Sequence, residues 1–154
     1  MNNSKRCPEV LFLCTGNYYR SRTAEAVFNH YALAQALDVR ATSRGLGLSA
    51  DNKGPISPHA ILWLEANGVP FDRRQPQDLA VDDLSAAHRT IAIDQTEHRV
   101  MMSVRFPEWV DRIEYWTIHD LDRTSASEAL SAIERRVRAL VDAYGETTPQ
   151  AADS

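Results

Sequence analysis

Cys14 and Arg20 stand six positions apart, enclosing Thr15, Gly16, Asn17, Tyr18 and Tyr19, and Ser21 follows directly. A thiol and a guanidinium at this spacing can serve one small anion. The sulfur is the nucleophile, and the planar guanidinium is a two-point clamp that a lysine could not reproduce. The apolar run Val10–Leu13 precedes the pair, and a helical pattern starts near Ser21. A tight turn between strand and helix points its backbone N–H groups inward and forms a concave oxyanion cradle. A thiol at the base of that turn meets those donors, the helix N-terminus and Arg20 together, all of which favour an ionised sulfur. The occupant that fits is a phosphoryl group. Cys14 would attack phosphorus in line, while the amides from Thr15 to Arg20 take up equatorial charge in a loose transition state. Ser21 can hydrogen-bond the sulfur and ease its departure. Asn17 suits the turn because asparagine tolerates left-handed backbone and can bond across the loop.

The elements that must position these groups can be read along the chain. Val10–Leu13, bounded by Pro8 and Gly16, reads as a strand buried on both faces. Ser21–Leu37 reads as a helix and Val39–Ser43 as a second strand, followed by a loop from Arg44 to Ile56. Ser57-Pro58 supplies an N-cap with proline at the first helical position, and Asn67-Gly68 ends that helix. Thr90–Ile93 is a third strand ending at Asp94, and a helix is expected from about Thr96 to Val104. Arg112–Ile118 reads as a fourth strand, with Asp120 just beyond it. Ser125 and Glu128 form a capping box for a last helix over Ala126–Tyr144, and Gly145–Ser154 reads as a frayed polar tail. Strands alternating with helices predict a parallel sheet whose ligands sit beyond the strands' carboxyl ends. Cys14, Ser43, Asp94 and Asp120 should therefore gather on one rim.

With 154 residues, 44% hydrophobic and 25% charged, the chain fits one domain over 1–154, with 1–7 and 146–154 expected as loose ends. A net charge of −4 without a Lys/Arg cluster argues against a nucleic-acid partner. The first apolar run is too short for a membrane span or a signal segment, so no membrane association is expected and the location reads as cytoplasmic. Cys7 and Cys14 flank one extended strand, which places them well beyond the bridging limit of about 7 Å. His30, His59, His88, His98 and His119 show no metal-ligand spacing, so no metal and no cofactor is expected.

The segment Val10–Phe28, VLFLCTGNYYRSRTAEAVF, closely resembles the opening of the low-molecular-weight protein tyrosine phosphatases. Ser43 falls where that family has a serine in its second loop, and Gly54–Ala60, GPISPHA, is similar to the family's next segment. The resemblance extends to about Tyr144. It implies a three-layer α/β/α fold with a four-stranded parallel sheet and a phosphate-binding loop after the first strand. It also implies metal-free hydrolysis of phosphomonoesters through a phosphocysteine, releasing inorganic phosphate. The implied catalytic residues are Cys14, Arg20 and Asp120, with Thr15, Gly16, Asn17, Tyr18, Tyr19 and Arg20 binding phosphate and Ser21 and Ser43 supporting. Asp120 is the implied general acid. The family follows it with proline, whereas Leu121 and Asp122 stand here, so Asp122 remains an alternative.

Other departures bear on the substrate. Tyr19 replaces the family's second cysteine, and the second loop, LSADN over Leu48–Asn52, lacks the usual aromatic wall. The late loop, RTSA over Arg123–Ala126, lacks it too, and Phe71 lies near the place of a supporting histidine ahead of Arg74-Gln75. Tyr18 either supplies an aromatic wall or packs against the neighbouring loop. The implied partner is a phosphorylated protein, phosphotyrosine first, with phosphoarginine, phosphoserine and small phosphate esters open. Two further readings remain: a non-catalytic phosphoprotein-binding module, and an arsenate reductase. The latter needs resolving cysteines that Asp78–Val100 does not contain.

Overall fold

The computed structural model describes residues 8–118 and 125–147. Cys7 and the segment 119–124, with Asp120 and Asp122, lie outside the described residues. In chain order the elements are β1 (Glu9–Cys14), α1 (Arg20–Ala34), β2 (Arg40–Gly45), α2 (Pro58–Ala66), α3 (Val81–Ala86), β3 (Arg89–Ala92), α4 (Gln95–Arg105), β4 (Glu114–Tyr115) and α5 (Ala126–Thr147).

The four strands form one sheet in the order β2-β1-β3-β4, and every pairing is parallel. β1 lies inside the sheet with helices packed over both its faces, and Val10, Leu11, Phe12 and Leu13 are fully buried. Strand alternation divides them. Val10, Phe12 and Cys14 face a core that includes Val27 and Phe28 of α1, Leu64 of α2 and Val137 of α5. Leu11 and Leu13 face a second core with Leu84 of α3 and Met102 of α4. The result is the expected three-layer α/β/α architecture, with α1, α2 and α5 on one side of the sheet and α3 and α4 on the other.

The signals at α2 act as read. The Ser57 hydroxyl accepts from the His59 N–H at 3.2 Å, Pro58 opens the helix and Asn67 closes it. Gly68 follows at φ 68°, a left-handed conformation that suits glycine. The fourth strand, α3 and the ends of α1 and α5 differ from expectation, α1 stopping at Ala34 rather than Leu37. The fourth strand is only Glu114–Tyr115, because β3 ends at Ala92 and the chain turns into α4, so the ladder runs out of partner. Trp116 and Ile118 still donate N–H bonds to the carbonyls of Ala92 and Ile93, at 2.8 and 3.0 Å. α3 was not anticipated; it is a single short turn whose Asp83 carboxylate accepts from the Ala80 N–H at 2.9 Å. α5 runs on to Thr147, past the expected end at Tyr144.

The end of β2 touches the turn after β1. Gly45 pairs with Cys14. A Cβ there would lie 2.6 Å from Leu48 Cδ2, 2.9 Å from the Thr15 carbonyl oxygen and 3.0 Å from the Asn17 amide nitrogen. Beyond it, Leu46 and Gly47 donate to the carbonyls of Cys14 and Thr15, both at 2.9 Å. The second loop is thus bonded directly to the first.

Candidate active site

Cys14 is the last residue of β1; its thiol is free and buried. Sγ lies 3.0 Å from Ser21 Oγ and 3.4 Å from the Ser21 backbone N–H. α1 begins at Arg20, and its N-cap, Tyr19, provides no side-chain cap. Asn17 has φ 49° and is fully buried. Its Nδ2 donates to Ser21 Oγ at 3.0 Å and to Ser43 Oγ at 2.9 Å. Its Oδ1 accepts from the Gln77 N–H at 2.9 Å and from Arg74 Nη1 at 3.1 Å. Ser21 Oγ thus accepts from both the Cys14 thiol and Asn17, and its own proton is available to an ionised sulfur.

This network continues behind the loop. Ser43 donates to Glu25 Oε1 at 2.6 Å, and Arg74 Nη2 donates to Glu25 Oε1 and Ser43 Oγ, both at 2.9 Å. Arg22 lies alongside and donates to four carbonyls, those of Asn17, Pro55, Asp72 and Arg74, at 2.8–3.3 Å. Burial, and then the neighbouring Arg74 cation, push the Arg22 pKa below its ordinary value.

In front of the loop the interactions are ionic. Arg20 is buried; its Nη1 donates to the Ile118 carbonyl at 3.0 Å and lies 3.8 Å from Asp94 Oδ2. Its Nη2 meets both oxygens of Glu97, at 3.3 and 3.4 Å. The Thr15 hydroxyl donates to Glu97 Oε2. His98 is fully buried, and its Nδ1 accepts from the Asp94 N–H at 3.0 Å. Its proton therefore sits on Nε2, 3.2 Å from Thr15 Oγ1 and 3.5 Å from Glu97 Oε2. These donors hold the Glu97 pKa down to about 2, the His98 hydrogen bond contributing most; burial opposes, and Thr15 and Arg20 add to the lowering.

Above the sulfur opens a cavity of about 500 Å³. Tyr18, Tyr19 and His59 line one part of it, and Gly47, Ser49 and Asn52 of the second loop line another. Tyr18 does both things considered for it. It lines the cavity, and its hydroxyl donates to the Lys53 carbonyl at 2.5 Å, fastening the second loop.

Of the residues singled out from sequence, Cys14, Thr15 through Ser21, Ser43 and Asp94 meet at the carboxyl rim of the sheet. Ser43 stands behind the loop and braces Asn17 rather than lining the cavity. Asp120 lies outside the described residues. Sequence reasoning missed Glu25, Arg74, Glu97 and His98. Arg74 was visible only as a landmark beside Gln75. Glu97, an acid in the first turn of α4, looks like ordinary helix-dipole complementation.

A buried thiol beneath an arginine-bearing strand-to-helix turn, at the rim of a parallel sheet, fits a phosphate-binding loop after the first strand. Residues 9–149 match the family described as low molecular weight phosphotyrosine protein phosphatase, and the chain belongs to that family of hydrolases. It is 27% identical to the protein-arginine-phosphatase of Bacillus subtilis (strain 168) over 105 residues, 68% of this chain and 67% of that protein. The low molecular weight protein tyrosine phosphatase from T. tengcongensis has a similar structure. Its TM-score is 0.76 at 24% identity, covering 88% of this chain and 98% of that one. The thioredoxin-dependent arsenate reductase of Corynebacterium glutamicum is also similar, with a TM-score of 0.69 at 23% identity, covering 92% of this chain and 64% of that one. At these identities the two structural likenesses speak to the fold, which phosphatase and reductase share.

Proposed function

We propose that the chain hydrolyses phosphomonoesters on proteins, phosphotyrosine first, through a phosphocysteine at Cys14. The observation that carries this reading is the Cys14 sulfur at the foot of the turn, 3.0 Å from Ser21 Oγ. The sulfur attacks phosphorus, an S–P bond forms and the P–O ester bond breaks. The leaving oxygen takes its proton from Asp120, or from Asp122 in its place. Water then attacks phosphorus, giving its proton to the same carboxylate, and the S–P bond breaks to release inorganic phosphate. The sulfur leaves as a thiolate, and the Ser21 hydroxyl stabilises it with a hydrogen bond. Arg20 and the amides from Thr15 to Arg20 carry the equatorial charge, so no metal enters either step.

Phosphoarginine is a second substrate reading, supported by the likeness to a protein-arginine-phosphatase. The second-loop part of the cavity presents Gly47, Ser49 and Asn52, which suits a polar phosphoryl carrier as well as a flat ring.

Phosphate release from an aryl phosphate tests the reaction. Activity is expected for the wild type, unaffected by chelators and abolished in Cys14→Ser. A wild type that binds phosphopeptide without turnover would favour a docking module instead. Peptides carrying phosphotyrosine, phosphoarginine or phosphoserine rank the substrates. Asp120→Asn and Asp122→Asn, made separately, assign the acid, and loss of turnover is expected in the first.

A further inference from the structure

Glu97 occupies an unusual place for a carboxylate. Three donors converge on it: the Thr15 hydroxyl, His98 Nε2–H and Arg20 Nη2. His98 is fully buried, and its ring orientation is fixed from the far side by the Asp94 N–H. Held near a pKa of 2, Glu97 keeps its charge throughout the range in which proteins work. That charge touches the guanidinium that must clamp a phosphoryl group, and it grips the first residue of the turn after Cys14.

We propose that Glu97 is a positioning residue for Arg20, pre-setting the guanidinium for the transition state while its charge weakens resting binding of phosphate. This inference rests on reading the Cys14 turn as a phosphatase site. With both Glu97 oxygens on Nη2 and the Ile118 carbonyl and Asp94 on Nη1, the direction of the guanidinium is set before an anion arrives. An anion in the cradle must nonetheless share Arg20 with Glu97 and feels its repulsion. The repulsion acts on substrate and product alike, so released phosphate leaves faster. In the transition state the properly aimed fork outweighs it.

Glu97→Gln keeps the side chain's size and removes its charge. Phosphate binding measured by calorimetry is expected to tighten about five- to tenfold. On an aryl phosphate, kcat should fall about tenfold and KM should fall with it. A residue that only complements the helix dipole would lower the melting temperature and leave phosphate affinity unmoved. Unchanged or weaker phosphate binding overturns the proposal, and so does tighter binding with unchanged kcat. If Glu97→Gln does not fold, Glu97→Ala takes its place with the same expectations. Failure of both to fold also overturns the proposal, because it makes Glu97 a folding residue. If the wild type releases no phosphate from any substrate, the phosphatase reading fails, and calorimetry alone then decides whether Glu97 tunes the anion site.

Discussion

Behind the Cys14 turn, Asn17, Ser43, Glu25 and Arg74 interlock through short hydrogen bonds, and Asn17 and Ser43 have no exposed surface. In front of it, Thr15 and Arg20 meet Glu97, whose side chain is about one-third exposed. The rear flank holds a backbone shape: a left-handed residue over a buried sulfur, with each atom of the Asn17 amide used twice. The front flank holds a charge pattern, one cation between the carboxylates of Asp94 and Glu97. The division teaches that the two tasks are separable. Damage behind should appear as lost stability, and damage in front as altered anion affinity and rate.

Asn17→Ala tests the rear flank hardest. It removes four hydrogen bonds and leaves alanine at φ 49°. A loss of about 3–4 kcal/mol in urea unfolding is expected; a loss below about 1 kcal/mol would break the comparison. Arg74→Met should cost about 2 kcal/mol, because Glu25 loses its cationic partner in a half-covered position. Arg74→Lys should recover less than half of that, since an ammonium cannot reach Asn17, Ser43 and Glu25 together.

The front flank is sharpened by acid. Glu97 has a folded-state pKa near 2, below its ordinary 4.5. Its contribution is fully present above about 4.5 and is lost as the pH falls through 2. The stability gap between wild type and Glu97→Gln should therefore shrink by on the order of 1 kcal/mol across that window, after allowance for solvent screening. Denaturant melts at pH 5, 3.5 and 2.5 would show it, and a constant gap would remove the charge from the account. The smallest effect is expected from Tyr18→Phe. It loses one exposed hydrogen bond to the Lys53 carbonyl and about 0.5 kcal/mol, but it loosens the second loop, so KM should move more than kcat.

The local signals in the chain were strong where a residue's type matched its own backbone. The apolar run of β1, the Ser57-Pro58 start of α2 and the left-handed Asn17 could each be read without knowing the fold. The grouping of Cys14, Arg20 and Ser21 was legible for the same reason, since they lie within one short segment of chain. The braces were not. Glu25, Arg74, Glu97 and His98 act across 18 to 83 positions of sequence, and each alone looks like a solvated charge or a core histidine. β4 was overread because its alternating residues do bond beside β3 without a ladder long enough to make a strand. α3 was missed because six residues give too little periodicity to detect.

Gly45 links the floor of the cavity to its wall. Hydrogen at that α-carbon is the only substituent that fits between the Leu48 side chain, the Thr15 carbonyl and the Asn17 amide. Adding even one methyl would have to push the Cys14 turn and the second loop apart at once, moving the proposed nucleophile and the cavity wall in the same step. On the proposed phosphatase reading, the shape of the cavity can therefore vary through Ser49 and Asn52 while the joint itself stays fixed.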